Sequence, residues 1–385
     1  MASTWPRLTF ANLPTDNRFI LVILRGALDG LSAVPPYGDP AYKARRSTIA
    51  LSRPGEGDGT FDLNGFFGLH PALDGLMPLY QNKQLAVFHA TSSPYRERSH
   101  FDAQNLLENG TTHAGGSSGW LNRALEVLQG GNGSAIAINQ QVPLVLQGEL
   151  VAASWAPKSR EVDASSAYMT KIASLYKNDP MFASSFDESM RMQDVASQAL
   201  TQDDMKASGR AKGSEQLYAA AKAAAVFLKK DNGPRVAVLE ASGWDTHARQ
   251  GGATGQLATR LHDLGNALGS LPQALGADVW NKTVVMVVTE FGRTAAENGT
   301  GGTDHGTGGV AFVMGGSVRG GQVFGQWPGL GDGNLYQGRD VMPTTDMRSI
   351  FKTVLYAHLR APVDALESTV FPDSHSATMI RGLMA

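Results

Sequence analysis

Cysteine is absent from all 385 residues, which removes disulfides, thiolate metal sites and a cysteine nucleophile at once. Any metal the chain binds must therefore be held by oxygen and imidazole. A cysteine-free chain also suits an oxidising compartment, although reducing compartments hold cysteine-poor proteins too. An excess of charge is lacking as well. The formal net charge is −2, and no lysine- or arginine-rich run stands out, so neither a nucleic-acid footprint nor a polybasic membrane patch is expected. No apolar run reaches the ~18 residues that a membrane-spanning helix needs. The opening stretch, MASTWPRLTFANLPTDNR, lacks the apolar core of a signal peptide and reads like the start of a mature exported chain.

What is present are valine-, leucine- and isoleucine-rich runs that break at polar or glycine residues. FILVILRG at 19–26, LAVFHAT at 85–91, RVAVLEASGWDTH at 235–247 and VVMVVTE at 284–290 read as strands, and VAFVMGG at 310–316 as a further one. Helical apolar spacing follows residue 70, spans about 100–108 and 255–275, and returns at 344–359, with Thr344 or Thr345 expected near the cap. Strand, helix, strand repetition of this kind predicts an α/β fold with a mostly parallel central sheet. The stretch 180–230 is polar and helical, and no Gly/Pro linker isolates it. A single domain over 1–385, with 180–230 as a helical insertion or cap, is the expected organisation.

In open α/β sheets ligands collect beyond the carboxyl ends of the strands. Asp29 follows the first strand, Asp245 and His247 end the strand at 235–247, Glu290 ends a run of apolar residues, and Asp304 with His305 lies among glycines. Carboxylates and imidazoles without thiolates suit zinc, manganese, magnesium or calcium, and the set is large enough for two ions. Each residue has a plainer role open to it. Asp29 sits in a Leu-Asp-Gly turn, and Arg293 is close enough in sequence to pair with Glu290. Ser99 is placed to cap the helix that begins at His100, or to act as a nucleophile at its N-terminus. Arg96 and Arg98, just upstream, would supply donors to a tetrahedral anion.

The segments LRGALDGLSAVPPYGD, FFGLHPAL, YRERSHFDAQNLLENG, GWDTH, TEFGR and GGTDHGTGG, in that order over about residues 17–360, resemble an uncharacterised bacterial family. Many of its members carry a twin-arginine export signal, and it is placed in the alkaline-phosphatase and sulfatase superfamily. The resemblance implies an alkaline-phosphatase-like three-layer sandwich and a periplasmic or exported protein. By the superfamily's pattern Asp29 is the aspartate after the first strand, and Ser99 the nucleophile at a helix start, or His100 if the count runs back from Gly110. Asp245 and His247 match the Asp/His pair at shorter spacing, and His305 matches the final histidine. Glu290-Phe291 stands where the superfamily has Asp-His, which keeps the carboxylate and loses the imidazole. One site is then a ligand short unless Asp304 or water completes it.

The expected function is hydrolysis of a phosphate or sulfate ester, small or glycan-borne, at a centre of two divalent ions. The expected ligands are Asp29, Asp245, His247, Glu290, Asp304 and His305, with Ser99 or His100 attacking and Arg96 or Arg98 assisting. The alternative is a catalytically degenerate protein on the same fold that binds a metal and an anionic or sugar-like ligand.

Overall fold

A computed structural model describes residues 13–156 and 214–385, with Lys171, Ser174–Tyr176, Ala183, Phe186 and Met190 between them. Its centre is a nine-stranded sheet. The strands are β1 (Arg18–Arg25), β4 (Leu85–Ser92), β5 (Ala135–Ala137), β6 (Ala153–Ser154), β7 (Val236–Ser242), β8 (Thr283–Thr289), β9 (Gly309–Gly315), β10 (Gln322–Phe324) and β13 (Thr345–Asp346). Two short hairpins, β2 (Phe61–Asp62) with β3 (Gly68–Leu69) and β11 (Leu335–Tyr336) with β12 (Asp340–Val341), lie outside it. The sheet order is β10-β4-β9-β8-β1-β7-β5-β6, with β13 paired to β4.

Both faces of the sheet are buried, which is why its strands are unbroken apolar runs and not alternating ones. On β1, Ile20, Val22 and Leu24 enter one core while Phe19, Leu21 and Ile23 enter the other. Strand β8 divides in the same way, with Val285 and Val287 on the first side and Val284, Met286 and Val288 on the second. The first side is covered by helices α6 (Ser214–Leu228) and α7 (Gln256–Leu275) through Leu217, Phe227, Leu261, Leu264 and Leu268. The second is covered by α5 (Trp120–Val127) and α9 (Met347–Ala357) through Trp120, Leu121, Leu125, Ile350 and Val354. The result is the α/β fold expected, a large and mostly parallel sheet between two helical layers.

Three details sharpen the expectation. Strand β9 runs antiparallel to both β4 and β8, so the sheet is mixed. Strand β4 runs in the same direction as β1 but is not its neighbour, because β8 and β9 lie between them. Helix α9 is capped by Asp346, whose carboxylate accepts from Arg348 N, and Thr344 and Thr345 lie just ahead of that cap. Of the helical stretch expected over 180–230, the part from Ser214 is α6, and most of the remainder lies outside the described residues. No helix among the described residues is long and apolar enough to cross a membrane.

The parallel strands β1, β7 and β8 are in register, Leu24 lying beside Ala241 and Thr289. Their carboxyl ends therefore finish level, and the segments leaving them emerge side by side. Helix α4 (His100–Asn109) begins eight residues after β4 and is closed by Gly110, which takes the left-handed conformation of a helix stop (φ +71).

Candidate metal centre

Three imidazoles converge at that edge of the sheet. His100 comes from the first turn of α4, His247 from the loop after β7, and His305 from the glycine-rich loop before β9. The Nε2 of His305 lies 3.0 Å from the Nε2 of His100 and 3.0 Å from that of His247. Asp245 Oδ1 lies 3.0 Å from His247 Nε2 and 3.3 Å from His305 Nε2, and Asp245 Oδ2 lies 3.5 Å from His100 Nε2. His100, Asp245 and His305 could hold a metal ion, their ligand atoms all lying within 4.8 Å of one another. His247 Nε2 approaches two of these atoms, His305 Nε2 and Asp245 Oδ1, without joining the mutual cluster of three. A tetrahedral zinc ion with bonds of roughly 2.0–2.1 Å spaces its ligand atoms about 3.3 Å apart, close to the separations observed.

The opposite nitrogen of each ring decides what these contacts mean. His100 Nδ1 lies 2.7 Å from Glu290 Oε1, His247 Nδ1 lies 3.0 Å from Asp304 Oδ1, and His305 Nδ1 lies 3.0 Å from the backbone oxygen of Arg98. Carbonyl and carboxylate oxygens accept, so each Nδ1 carries a proton, and a ring in its neutral form then turns a bare lone pair inward. Metal-ligating histidines are oriented in this way. Three lone pairs and a carboxylate facing one another at about 3 Å repel unless a cation or proton sits among them.

Neighbouring groups tune this arrangement. Burial opposes the charge on Glu290, which is fully buried, yet hydrogen bonds from His100, from Gln104 Nε2 at 3.0 Å and from Gly26 N at 2.8 Å hold its carboxyl below the ordinary value. That bond to Glu290, working against burial, raises His100. Burial and then the charge of His100 push His305 down. Burial also opposes the charge on Asp245, but the Arg293 guanidinium outweighs it and keeps this carboxyl low. The hydrogen bond from Asn298 does most to lower Asp304, with His247 adding to it.

The structure sorts the expected site residues. Asp245, His247 and His305 present atoms to the centre, and His100 joins them as a fourth ligand candidate. Glu290 and Asp304 do not; they hold His100 and His247 from behind. Arg293 pairs with Asp245, not with Glu290. Phe291, the residue in the imidazole's place, is buried and stacks on His100 at 4.8 Å between ring centroids, with His305 at 5.3 Å. It forms an apolar floor under two of the rings.

Asp29 is not brought to the centre. Its two oxygens take five donors: Leu31 N, Ser32 Oγ, Gln250 Nε2 and both terminal nitrogens of Arg46. Arg46 and Asp29 are fully buried against each other, so the carboxylate that was expected to bind an ion is already neutralised. The side chains of Arg96 and Arg98 are also engaged elsewhere. Arg96 folds back on Ser92 Oγ and the carbonyls of Ser93 and Tyr95, and Arg98 binds Asp340 and Gln337. What Arg98 offers the centre is its backbone oxygen. Ser99 takes the N-cap position of α4, but its side chain makes no capping hydrogen bond.

Sequence reasoning missed Gln104, Gln250 and Arg46 altogether. Gln104 had a signal available, because it lies one helical turn after His100 and so on the same face. Gln250 and Arg46 had none, since only the folded chain brings them to Asp29.

No curated protein sequence matches this chain significantly. Among solved structures, Ps i-CgsB in complex with k-i-k-neocarrahexaose is similar at 11% identity and a TM-score of 0.45, over 93% of this chain and 74% of that one. The phosphonate monoester hydrolase of Agrobacterium radiobacter is similar at 11% identity and a TM-score of 0.36, over 90% of this chain and 74% of that one. The alkaline phosphatase from the Antarctic bacterium TAB5 is similar at 14% identity and a TM-score of 0.34, over 80% and 92% of the two chains. These likenesses are distant, and the fold and the site stand on this chain's own geometry. The sequence profile of a family described as proteins of unknown function, DUF1501, matches residues 83–369, and the chain belongs to that family.

Proposed function

We propose that this chain is a metal-dependent hydrolase of a phosphate or sulfate ester, with one divalent ion held by His100, His247, His305 and Asp245. The observation that carries the metal is the set of inward lone pairs, each fixed by a partner on the far side of its ring. Three imidazoles and one carboxylate suit zinc or manganese better than calcium or magnesium, which prefer oxygen. A single ion is favoured over two because Arg46 occupies Asp29.

Exposure favours a catalytic over a structural centre. The side chains of His100 and His305 are 26% exposed, Asp245 40% and His247 44%. Structural sites are closed, whereas catalytic sites keep an open position. A bound ion would lower the pKa of a hydroxyl or water beside it and draw charge from the ester oxygens. Ser99 precedes the ligand His100, and its hydroxyl is not used to cap α4, which supports it as the nucleophile. Glu290, Asp304 and the Arg98 carbonyl keep the three rings facing inward, and Arg293 holds Asp245 in place. The lack of cysteine and the resemblance to an exported family support a location outside the cytoplasm.

One observation favours the second reading, a protein that binds a metal and an anionic ligand without turnover. The guanidinium groups of Arg96 and Arg98, the expected donors to a transferred group, are engaged elsewhere.

Metal analysis of protein purified without chelators, together with assays on p-nitrophenyl phosphate and p-nitrophenyl sulfate, separates these readings. The hydrolase requires a single bound ion per chain and turnover that is lost in His305→Ala. A bound ion without turnover on either ester supports the binder, and substoichiometric metal with no response to zinc or manganese defeats both.

A further inference from the structure

We infer that the hairpin 335–341 is a positioning element for His305, and that Asp340, acting through Arg98, holds the backbone oxygen that fixes the tautomer of that histidine. The consequence for metal binding rests on the proposed centre, whereas the tautomer itself does not.

Arg98 is the hinge of this arrangement. Its φ is +61, a left-handed conformation that crowds the Cβ of an L-residue and persists only where the surroundings impose it. Its oxygen, so placed, receives the Nδ1 proton of His305 at 3.0 Å. Its guanidinium is anchored on the hairpin, with Nε 2.8 Å from Asp340 Oδ2, Nη2 2.7 Å from Gln337 Oε1, and Cζ 5.9 Å from the ring centre of Tyr336.

The hairpin reaches the histidine a second time. Arg339 donates to the backbone oxygen of His305, and the isolated bridges Arg293–His305 and Thr294–Asp340 set the two segments on either side of residues 293–294. His305 is thus held at its main chain by Arg339 and at its ring by Arg98.

Asp340 is an unusual residue to bury. It is 0% exposed, and its Oδ1 has no hydrogen-bond partner. The Arg339 Nε lies 3.5 Å from that oxygen as an ion pair, and a buried carboxylate with so few hydrogen bonds is costly. What the fold gains from it is an anchored Arg98, and through Arg98 an oriented His305.

The test is nitrogen NMR of metal-free protein labelled in its histidine rings, read at a pH where the imidazoles are neutral, with zinc affinity measured in parallel by chelator competition. In the wild-type protein His305 carries its proton on Nδ1. In Arg98→Ala, which loses the anchor and keeps the strain, and in Asp340→Asn, the His305 proton redistributes toward Nε2. Zinc affinity in Arg98→Ala falls about 10- to 100-fold, the usual effect of losing a histidine's outer partner. Arg98→Gly retains more of the Nδ1 form than Arg98→Ala, because glycine adopts positive φ without strain. His358, whose Nε2 donates to the Arg18 oxygen at 2.8 Å in the core, reports on the fold in the same spectrum. An Nδ1 proton unchanged in both Arg98→Ala and Asp340→Asn, with His358 unperturbed, overturns the inference. A wild-type protein that binds no zinc defeats the metal reading, and the ring spectra still decide the role of the hairpin.

Discussion

Glu290 Oε1 and His100 Nδ1 lie 2.7 Å apart, and this contact turns the other nitrogen of the ring toward His305. Glu290 is thus one bond removed from the position that its place at the end of β8 suggested. Its buried charge serves a histidine and not an ion. The same oxygen also accepts from Gln104 and from Gly26 N, so the carboxylate is fixed by α4 and by the turn after β1 together.

Glu290→Gln should therefore weaken metal binding by about 10- to 100-fold without changing the number of ions bound. A direct ligand would lose its ion outright. Titration of the purified variant with zinc against a chromophoric chelator distinguishes the two outcomes.

Asp29→Asn should leave metal stoichiometry intact and destabilise the fold by about 3–5 kcal/mol, because Arg46 is left buried without its partner. Urea unfolding gives the stability, and metal analysis of the same sample gives the stoichiometry. Loss of an ion in this variant would restore Asp29 to the ligand set.

The same pair sets a direction for acid sensitivity. Burial opposes the charge on Asp29, yet Arg46, Ser32 and Gln250 bring its pKa below the unfolded value of 3.8. Since the folded pKa is the lower one, the stabilisation is complete above 3.8 and is lost as pH falls through the folded value. Unfolding midpoints of metal-free wild type should fall over that interval, and those of Asp29→Asn should lack this component.

Zinc added to the metal-free protein should raise its stability by mass action, about 2.7 kcal/mol at a free concentration a hundredfold above Kd. His247→Ala and His305→Ala should lose most of that gain. A zinc-independent melting curve for the wild-type chain would contradict the centre.

Two adjacent glycines offer a steric test. A Cβ on Gly302 would lie 2.4 Å from the carbonyl carbon and oxygen of His247, whereas one on Gly301 would meet nothing within 4 Å, although the φ of Gly301 is +67. Gly302→Ala should displace the His247 loop and weaken zinc binding clearly more than Gly301→Ala does. Equal affinities in the two variants would show that the loop yields freely.

The sequence made the scaffold legible because burial on both sheet faces leaves a plain mark. The runs at β1, β4 and β8 are apolar for that reason, and the polar residues that end or follow them do gather at one edge. Helix α4 was legible because Asn109-Gly110 stops it. The direction of β9 left no mark, since an antiparallel strand inside a doubly covered sheet is as apolar as its parallel neighbours. The division of the acidic residues into proposed ligands and their supports was also hidden. Asp29 and Asp245 both follow strands and both receive a buried arginine, Arg46 and Arg293; what separates them is that Asp29 is fully enclosed by its donors, whereas three imidazoles stand beside Asp245. The role of Arg98 was hidden for a different reason, because it depends on a backbone angle and not on a side chain.

The ligands of the proposed centre lie far apart along the chain, His305 being 60 residues from Asp245 and 205 from His100. An ion shared among them would act as a staple across two long loops, whose closure costs chain entropy that grows only slowly with length. A chain still growing past β8 holds His100, Asp245 and His247 but not His305, so metal capture at the proposed centre would wait for the loop before β9.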